Sequence, residues 1–456
     1  MRFFYQYFDM AIAGKTNDLK YSFYNIFVNI GKRVFIYNTL FGSLITIDKK
    51  TAEIIKKENL NKISDKLLPK LQKTKIILEK KFDEQKYIAE KIIESKEDNR
   101  VAHIFFITTL ACNCKCAYCF EDKEGNSKSA TGDFEWFESF SKKFFKKSRS
   151  LNLLVDFFGG EPLLLWPKIK KVMIELVRLE KSQNKKISFR FYTNGTILND
   201  EMLRFFKLHK RNIKDLQITL DGPKRVHDQR RPLKTGESSF DAITKNIGLL
   251  HENRIPVQLR VNIDNDNVSS IPSLLKDLKK NQWHKIIPIS FYPVQSLGES
   301  CRGYSHFFAA ADVSAALTKV WAIAVKEGYK INLQPFIKFI YCSAFNKNSI
   351  VIDYQKKAYK CAILHQQNHT IGEITSNGDL KITDKKKLNQ WLCRDSLSIS
   401  GCKKCKLLPT CASGCGGSAF NKFGTWNINN CSGNKQIFME RLKIYIEQKY
   451  PLFHNS

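Results

Sequence analysis

Cys-Asn-Cys-Lys-Cys-Ala-Tyr-Cys, at positions 112–119, is the stretch that decides the fold and the chemistry of this chain. It directly follows an apolar, β-prone run at residues 103–110. Cys112, Cys116 and Cys119 have the spacing Cys-x3-Cys-x2-Cys, which can hold three irons of a four-iron cluster on one short loop. The fourth iron then lacks a protein ligand, so a small molecule can bind there and be reduced. The spacing therefore indicates catalysis rather than simple electron transfer.

Strand-like and helix-like runs alternate from this loop to about residue 330. Apolar, β-prone runs predict strands at residues 103–110, 153–158, 188–192, 216–220, 257–263 and 286–292. The segments between them carry apolar residues at helical spacing. Six β/α units in a row predict a parallel sheet with right-handed crossovers, and six are too few to close an eight-stranded barrel. We therefore expect an α/β fold, a partial (β/α)6 TIM-like barrel with its site at the carboxyl ends of the strands.

Turns with polar or flexible residues follow the next three predicted strands. Phe-Gly-Gly-Glu-Pro at 158–162 follows the second strand, Tyr-Thr-Asn-Gly at 192–195 the third, and Thr-Leu-Asp-Gly-Pro at 219–223 the fourth. Paired glycines such as Gly159 and Gly160 let a ligand approach the backbone closely. The Glu161 carboxylate can accept a hydrogen bond from an ammonium group. Each motif alone is typical of a structural turn, but the position of Gly-Gly-Glu-Pro one strand after the cysteine loop favours a ligand site.

A second group of cysteines lies towards the C-terminus. Its members are Cys342, Cys361, Cys402, Cys405, Cys411, Cys415 and Cys431. In a reducing compartment such clustering indicates metal ligands rather than disulfides. Zinc is an alternative for both groups, because four cysteines in eight residues can form a zinc knuckle and Cys402-x2-Cys405 is a common zinc half-site. The agreement between the motifs favours iron–sulfur clusters over zinc.

Together these motifs resemble those of the radical S-adenosylmethionine (SAM) enzymes. In that family a four-iron cluster on such a cysteine loop binds SAM and cleaves its sulfonium with one electron. The resulting 5′-deoxyadenosyl radical abstracts hydrogen from the substrate. The resemblance implies catalytic and metal-binding roles for Cys112, Cys116 and Cys119. Cys114 does not fit the spacing, and we expect it to point away as a spare thiol.

The resemblance also implies residues that contact the cofactor. The Gly159–Glu161 segment would grip the amino group of SAM, and Tyr118 would pack on the adenine. Asn194 and Thr219 would lie near the nucleoside. Arg231, or its neighbour Arg230, would contact the methionine carboxylate. Asp221 is interpreted as a turn residue rather than a base.

The C-terminal cysteines resemble the SPASM extension of such enzymes, which binds two auxiliary four-iron clusters. The family's interleaved pattern implies that one cluster is held by Cys402, Cys405, Cys411 and Cys431. It implies that the other is held by Cys342, Cys361 and Cys415. That second cluster lacks a fourth ligand, for which Cys393, Cys301 or an open iron are the candidates. Lys356 stands where the family pattern has glycine.

The N-terminal hundred residues have a different pattern. Short β-like runs at 24–30, 34–37 and 44–47 are followed by predicted helices at 50–57, 65–71 and 82–97. Strands followed by helices resemble the winged-helix elements that recognise peptides beside peptide-modifying enzymes. A cap that packs on the edge of the barrel is an equally open interpretation. We predict three domains: a peptide-recognition-like domain at 1–100, a radical SAM core at 101–330, and a SPASM domain with a C-terminal helix at 331–456.

Composition limits the possible partners and the location. The chain has 456 residues, 43% of them hydrophobic, with no run apolar enough to span a bilayer. Residues 1–13 lack the apolar centre of a signal peptide, so a cytoplasmic location without membrane contact is expected. The net charge is +31, which attracts polyanions. Because the basic residues are scattered, we assign most of the charge to solvated surface and expect an acidic peptide rather than nucleic acid as partner.

The function expected from the resemblance is the maturation of a ribosomally made precursor peptide (RiPP). The N-terminal domain would hold the leader, and hydrogen abstraction from the core would give a thioether or carbon–carbon crosslink or an epimer. The expected cofactors are SAM and three [4Fe-4S] clusters, with flavodoxin or ferredoxin as an electron donor. The alternatives are an anaerobic sulfatase-maturase-like protein oxidase, an RNA-modifying radical SAM enzyme, and a non-catalytic iron–sulfur or zinc protein. The sulfatase-maturase-like alternative is expected to start near the barrel, whereas a hundred residues precede the barrel here.

Overall fold

The computed structural model describes residues 18–121, 133–183, 185–296, 303–329, 331–365, 367–431 and 433–451. Residues 1–13 and Cys301, on which two sequence predictions fall, lie outside these ranges. The strands are Leu19–Tyr21 (β1), Asn25–Ile30 (β2), Arg33–Asn38 (β3), Leu44–Asp48 (β4), Ile77–Glu79 (β5), Val101–Thr109 (β6), Asn152–Gly159 (β7), Lys186–Thr193 (β8), Ile213–Thr219 (β9), Val257–Ile263 (β10), Ile289–Pro293 (β11), Ser349–Asp353 (β12), Lys357–Tyr359 (β13), Gly372–Ile374 (β14) and Leu380–Ile382 (β15).

Most of the helices connect these strands, and the last of them follows the final strand. They are Lys49–Lys56 (α1), Leu68–Lys73 (α2), Glu84–Glu97 (α3), Glu135–Ser148 (α4), Trp166–Gln183 (α5), Asp200–Leu208 (α6), Lys224–Arg230 (α7), Ser239–Glu252 (α8), Ile271–Lys280 (α9), Asp312–Lys326 (α10), Lys385–Leu392 (α11), Leu408–Cys411 (α12), Gly416–Phe423 (α13) and Asn434–Lys449 (α14). None of the helices in the described ranges has both the length and the apolar character that a bilayer crossing requires.

A single ten-stranded sheet forms the centre, in the order β11-β10-β9-β8-β7-β6-β12-β13-β14-β15. Strands β6 to β11 are parallel and follow one another in chain order. Sequential order with right-handed crossovers places the connecting helices on one face. The predicted α/β fold with a large parallel sheet is therefore confirmed, and all six predicted strands are present with small shifts at their ends.

The two faces of this sheet differ in chemistry. In β8, Ile187, Phe189 and Phe191 are fully buried beneath the helices. The alternating residues Arg190 and Tyr192 are only half-buried and lie on the other side. This alternation is what a strand with one covered face requires. We call the second side the helix-free face. It carries His103, Phe105, Phe158, Arg190, Tyr192, Gln258, Arg260 and Tyr292.

The C-terminal region extends this sheet. Strand β12 pairs in parallel with β6, with Ser349 opposite His103, and β13 to β15 add antiparallel hairpins. These four strands, three to five residues long, were not expected from the sequence. The turn between β12 and β13 contains Lys356 at φ +66°, a left-handed conformation that favours glycine. A glycine would adopt this backbone conformation without strain, and the Lys356 Nζ lies 5.8 Å from the Trp136 ring centroid.

The N-terminal region forms a three-stranded sheet, β2-β3-β4, and a small β1-β5 pair. One face of the larger sheet, with Val34 and Ile36, packs on its own helices. The other face, with Ile26, Phe35 and Tyr37, packs on Leu407 and on Leu442 and Ile446 of α14. The predicted order of strands followed by helices is found. The cap interpretation needs correction, because this sheet packs on the cysteine-rich region rather than on the edge of the parallel strands.

Candidate active site and cysteine sets

The cysteine loop follows β6, as predicted, and backbone hydrogen bonds fix it. The amides of Lys115 and Ala117 donate to the carbonyls of Pro232 and Arg230, at 2.9 and 3.0 Å, and the Lys234 amide donates to Asn113 at 2.9 Å. The loop therefore lies antiparallel to the segment that follows α7. This pairing explains why eight residues without regular secondary structure can present three thiols in a defined order.

The thiols of this loop differ in their surroundings. Hydrogen bonding from Cys114, helped by Arg231 and the Asn194 amide, lowers the pKa of Cys112 to about 6. The same contact raises the pKa of Cys114. Burial raises the pKa of Cys116 and raises that of Cys119 to about 12. Cys114 does not point away as expected: it is 3% exposed, and its thiol faces Cys112.

Gly159 and Gly160 bring the next loop against the backbone that leads to Cys112. The Gly160 amide donates to the Thr109 carbonyl at 2.8 Å, and the Glu161 amide donates to Ala111 at 2.9 Å. A Cβ atom on either glycine would collide with the carbonyl of Thr109 or Ala111. The glycines are therefore needed for contact between two chain segments. The sequence interpretation, in which they make room for a ligand, missed this use.

Glu161 is fully buried and its carboxylate is held by the protein. It accepts from the Leu163 amide at 3.0 Å, the Asn194 amide at 2.7 Å and the Thr193 hydroxyl at 2.8 Å. Burial raises the pKa of Glu161 to about 7, although these donors oppose the shift. The side chain thus ties the end of β8 to the end of β7. A contact between this carboxylate and the SAM ammonium group stays a prediction, and the geometry gives Glu161 a positioning role.

We expect Glu161→Gln to disturb this junction. The glutamine amide would place N–H groups opposite backbone N–H donors, and a buried donor left without a partner costs about 1–3 kcal/mol. The variant should unfold at a lower temperature and show a higher KM for SAM in 5′-deoxyadenosine formation. Glu201→Gln, whose side chain is 52% exposed and pairs with Lys170, is the matched control. Equal behaviour of the two variants would contradict the positioning role.

A buried polar network joins the cysteine loop to the ends of β9 and β10. The Tyr118 hydroxyl contacts Asp221 and accepts from Arg231 Nη1 at 2.8 Å and Asn262 Nδ2 at 3.1 Å. The Arg230 guanidinium lies 5.0 Å from the Tyr118 ring centroid. Asp221 accepts from the Asn262 amide at 2.7 Å, so it organises the network and is more than a turn residue. Adenine packing on Tyr118 remains a prediction.

The two arginines after Asp221 differ in their carboxylate partners. The Nη atoms of Arg230 donate to both oxygens of Asp264, at 2.9 and 2.7 Å, and to Asp266 at 3.0 Å. Arg231 Nη1 lies 3.9 Å from the Asp221 carboxylate, and the Nε atoms of both arginines are buried with no hydrogen-bond partner among the described residues. Burial alone lowers the pKa of Arg231, but Cys116, Tyr118 and Asp221 more than offset it. Of the pair, Arg231 therefore has the more distant carboxylate partner, and a contact between it and the methionine carboxylate stays a prediction.

Two other predicted cofactor residues take different places. Asn194 Nδ2 reaches Asn113 Oδ1 at 2.7 Å and the Cys112 sulfur at 3.8 Å. It therefore supports the cysteine loop directly. Thr219 ends β9 and pairs in register with Arg260 of β10. A contact between either residue and the nucleoside is still a prediction.

The electrostatic interactions among the C-terminal thiols follow the two predicted groups, and the grouping itself stays a prediction. The Cys411 thiol interacts electrostatically with Cys431, Cys405 and Cys402; we call these the four-cysteine set. The Cys361 thiol interacts with Cys342 and Cys415; these form the three-cysteine set. Burial and the neighbouring thiols raise the pKa of Cys361, and burial raises that of Cys411 to about 11. Such thiols ionise readily only when a cationic centre binds them, so the residues fit the implied clusters.

Within the described part of the chain, no three His, Cys, Asp or Glu side chains converge as the ligands of one metal ion do. The thiolates of a four-iron cluster each bind a different iron and stand farther apart. This finding therefore leaves the cluster assignments as predictions. Cys393, a candidate fourth ligand, is exposed at the end of α11, where its thiol interacts with Lys96 of α3.

One contact between the cysteine regions has no signal in the sequence. Glu121, two residues after Cys119, lies with its Oε2 3.1 Å from Nε2 of His365, four residues after Cys361. Burial acts to lower the pKa of His365, but Glu121 raises it overall. His365 Nδ1 also contacts the Ala362 carbonyl at 2.8 Å. This pair joins the loop of the first cysteines to that of the three-cysteine set.

The comparison with protein families identifies the central part of this chain. Residues 106–278 match the profile of the Radical SAM superfamily. They therefore form a radical SAM domain, to which iron–sulfur and SAM binding belong. The matched stretch begins in β6 and ends in α9, so it contains the cysteine loop and the network described above.

Relatives and solved structures share this domain and most of the rest. The cysteine-type anaerobic sulfatase-maturating enzyme of Clostridium novyi is 22% identical over 74% of this chain and 92% of its own. The fold is similar to that of anSMEcpe with bound AdoMet, with a TM-score of 0.61, 18% identity, and coverage of 78% of this chain and 94% of that one. Streptococcus suis SuiB, solved with S-adenosylmethionine, gives a TM-score of 0.54 at 14% identity over 90% of this chain and 98% of its own. SuiB has also been solved bound to its precursor peptide SuiA.

Proposed function

We propose that this protein is a radical SAM maturase of a ribosomally made precursor peptide. The observation that carries the proposal is the N-terminal region, residues 19–97, which precedes the radical SAM domain and packs on the cysteine-rich region. The fold likeness to SuiB spans 90% of this chain, against 78% for anSMEcpe. An additional region of this size gives a substrate segment outside the catalytic centre a place to bind.

The three-stranded N-terminal sheet offers a binding edge for a leader peptide. Strand β4 pairs with β3 on one side, and no other strand of the described residues pairs with its outer side. An extended peptide can add to such an edge through main-chain hydrogen bonds, and alternate side chains then give specificity. Residues 44–46 of β4 are only half-buried, so their side chains are accessible to such a peptide.

The core of the substrate would reach the carboxyl ends of β6 to β11. There the cysteine loop, the Gly159–Glu161 turn and Arg231 lie around the helix-free face. When bound, SAM and the iron–sulfur clusters supply the 5′-deoxyadenosyl radical and the electron transfers of the family. The protein contributes the fixed loops, the buried Tyr118–Asp221 network and an apolar wall of Phe105, Phe158 and Tyr192, whose ring centroids lie 4.9–5.6 Å apart. Such a wall excludes water from a reactive site.

A protein oxidase of the sulfatase-maturating kind is the second candidate. The relative from Clostridium novyi, at 92% coverage of its own length, supports it as well as SuiB supports the first. Oxidation of a serine or cysteine side chain gives a carbonyl group, whereas a crosslink or an epimer does not. The two candidates therefore predict chemically different products on the same domain.

One incubation separates these candidates. The reconstituted protein, SAM and a reductant are mixed, in parallel, with a peptide encoded by a small open reading frame beside the gene and with a serine- or cysteine-containing sulfatase peptide. A loss of two hydrogens without reactivity towards a hydrazine probe supports a crosslink in the precursor peptide. An unchanged mass with a D-residue after hydrolysis supports epimerisation. A hydrazine-reactive product of the sulfatase peptide alone would overturn the proposal in favour of the second candidate.

Arg260 on the helix-free face predicts that the substrate carries an acidic side chain. Its Nε donates to Asn262 at 2.8 Å and its guanidinium stacks 4.2 Å from the Tyr292 ring. Unlike Arg190, Arg230 and Arg231, it has no carboxylate within ion-pair distance among the described residues. Because a charge-assisted hydrogen bond contributes about 1.5–3 kcal/mol, Arg260→Gln should weaken binding of the precursor peptide about tenfold or more.

The control for this prediction is a peptide with its acidic residues changed to amides. Such a peptide should bind the original protein and the Arg260→Gln variant equally. The KM for SAM in peptide-free 5′-deoxyadenosine formation should not change. A raised KM for SAM would show instead that Arg260 holds the methionine carboxylate.

A further inference from the structure

Arg394 lies just after α11 and is one of the most enclosed charges of the protein, at 5% exposure. All five of its N–H groups point at backbone carbonyls. Nε donates to Trp426 at 2.7 Å, and the two Nη atoms donate to Ala412, Ser413, Gly414 and Ile428 at 3.1–3.4 Å. Five bonds is the full capacity of a guanidinium group. No carboxylate of the described residues pairs with it.

The carbonyls that Arg394 binds belong to the loop that separates the two cysteine sets. Ala412, Ser413 and Gly414 are the three residues between Cys411, of the four-cysteine set, and Cys415, of the three-cysteine set. All three are left-handed, with φ of +46°, +62° and +76°. A non-glycine residue in this conformation costs about 1–3 kcal/mol. The bonds from Arg394 hold the strained run in place and therefore fix how the two sets stand to each other.

The charge of Arg394 needs a partner that the carbonyls do not supply. Taking an ion out of water costs several kcal/mol unless an opposite charge lies nearby. The thiols of Cys402, Cys415, Cys342 and Cys411, from both sets, interact electrostatically with this guanidinium. Four-iron clusters bound by thiolates carry net negative charge, and nearby charge is one of the factors that set their potential. Lys338 is a second cation that interacts with both sets, so Arg394 provides part of the compensation.

We propose that Arg394 is a shared counter-cation of the two auxiliary clusters, which positions both cysteine sets and raises the reduction potential of both clusters. The proposal concerns cofactor tuning and stands whether the substrate is a peptide or a sulfatase. It requires that the C-terminal cysteines hold clusters. Arg394 is a positioning residue, because backbone carbonyls take all five of its N–H groups.

The potential of the clusters tests the charge part. Arg394→Gln removes the charge and keeps a hydrogen-bonding side chain, whereas Arg394→Lys keeps the charge and loses the planar fork. Redox titration followed by electron paramagnetic resonance is carried out on full-length protein. The same substitutions in a Cys112→Ala, Cys116→Ala, Cys119→Ala background isolate the auxiliary signals. In Arg394→Gln the ratio of reduced to oxidised cluster at fixed potential should fall at least tenfold, which is about 59 mV for one electron. In Arg394→Lys it should remain near the original value.

Arg441 is the matched control. It also donates to three backbone carbonyls, of Asn332, Leu333 and Gln334, at 3.0–3.1 Å. The groups that affect its pKa are burial and two tyrosines, with no thiol among them. Arg441→Gln should therefore leave the cluster potentials unchanged. Equal potentials in Arg394→Gln and the original protein would overturn the proposal and reduce Arg394 to a structural role.

A second measurement covers variants that load iron poorly. Thermal unfolding of the metal-free and reconstituted forms gives the stabilisation that the clusters provide. If Arg394 is the counter-cation of the auxiliary clusters, its buried charge is balanced only when the clusters are bound. The stabilisation should therefore be smaller in Arg394→Met than in the original protein. An equal increase in both proteins would contradict the proposal. So would an original protein that binds about four irons rather than about twelve, the content of three four-iron clusters.

Discussion

A Cys116→Ala protein should form 5′-deoxyadenosine at least about 100-fold more slowly than the original protein. Removing a residue that only hydrogen-bonds to a metal ligand lowers metal affinity or activity about 10–100-fold. Cys116 is predicted to bind iron itself, so its loss should have a larger effect. The thiol is partly buried and interacts electrostatically with Arg231. The measurement is deoxyadenosine per chain after anaerobic reconstitution, with iron content determined on the same sample.

Cys114→Ala is the control for that result. The two cysteines lie in the same loop, but the Cys114 thiol faces Cys112 and its backbone pairs with Leu233. We expect this variant to retain its first cluster and to lose much less activity than Cys116→Ala. If the two variants were equally inactive, or if Cys116→Ala kept the full rate, the ligand assignment would be wrong.

The second large effect concerns stability. Asp264→Ala should lower the free energy of unfolding by about 3–5 kcal/mol, because it leaves the buried charge of Arg230 without its bidentate partner. Asp264 is fully buried, and Arg230 is 2% exposed. Thermal unfolding of the metal-free protein measures the change without contributions from the clusters.

Asp266→Ala provides the comparison. Asp266 binds the same guanidinium at 3.0 Å, but its side chain is 47% exposed. Exposed ion pairs contribute about 0–1 kcal/mol, so this variant should unfold close to the original temperature. An equal loss of stability in both variants would show that the burial of Asp264 does not decide its contribution.

The parts of the fold that the sequence predicted well are those with local signals. Each of β6 to β11 is an apolar run bounded by turn residues, and the cysteine loop is defined by spacing alone. Strands β12 to β15 have at most five residues; β12 pairs with β6, far earlier in the chain, and β13 to β15 add to β12 one after another. No pattern within such short segments separates them from loops. The packing of the N-terminal sheet on α14 could not be predicted for the same reason, because it joins segments that are far apart in the sequence.

The site shows a similar limit at the level of side chains. The motif residues Gly159–Glu161 were found, but the sequence did not show that two amides and a hydroxyl of the chain itself hold the Glu161 carboxylate. The Glu121–His365 pair, and the hydrogen bonds from Arg394 to backbone carbonyls, join segments that are distant in sequence. A charged residue next to a cysteine motif is common, and only the folded structure shows which of its groups have partners.

The junction between β6 and β12 affects how this protein can be divided. A fragment that ends near residue 330, at the predicted domain boundary, would leave the backbone of β6 open along the side that β12 occupies. Exposed, unpaired strands promote association between chains. A recombinant catalytic core should therefore include at least Ser349–Asp353. The strand that precedes the first cysteine loop is thus protected by the region that carries the C-terminal cysteines.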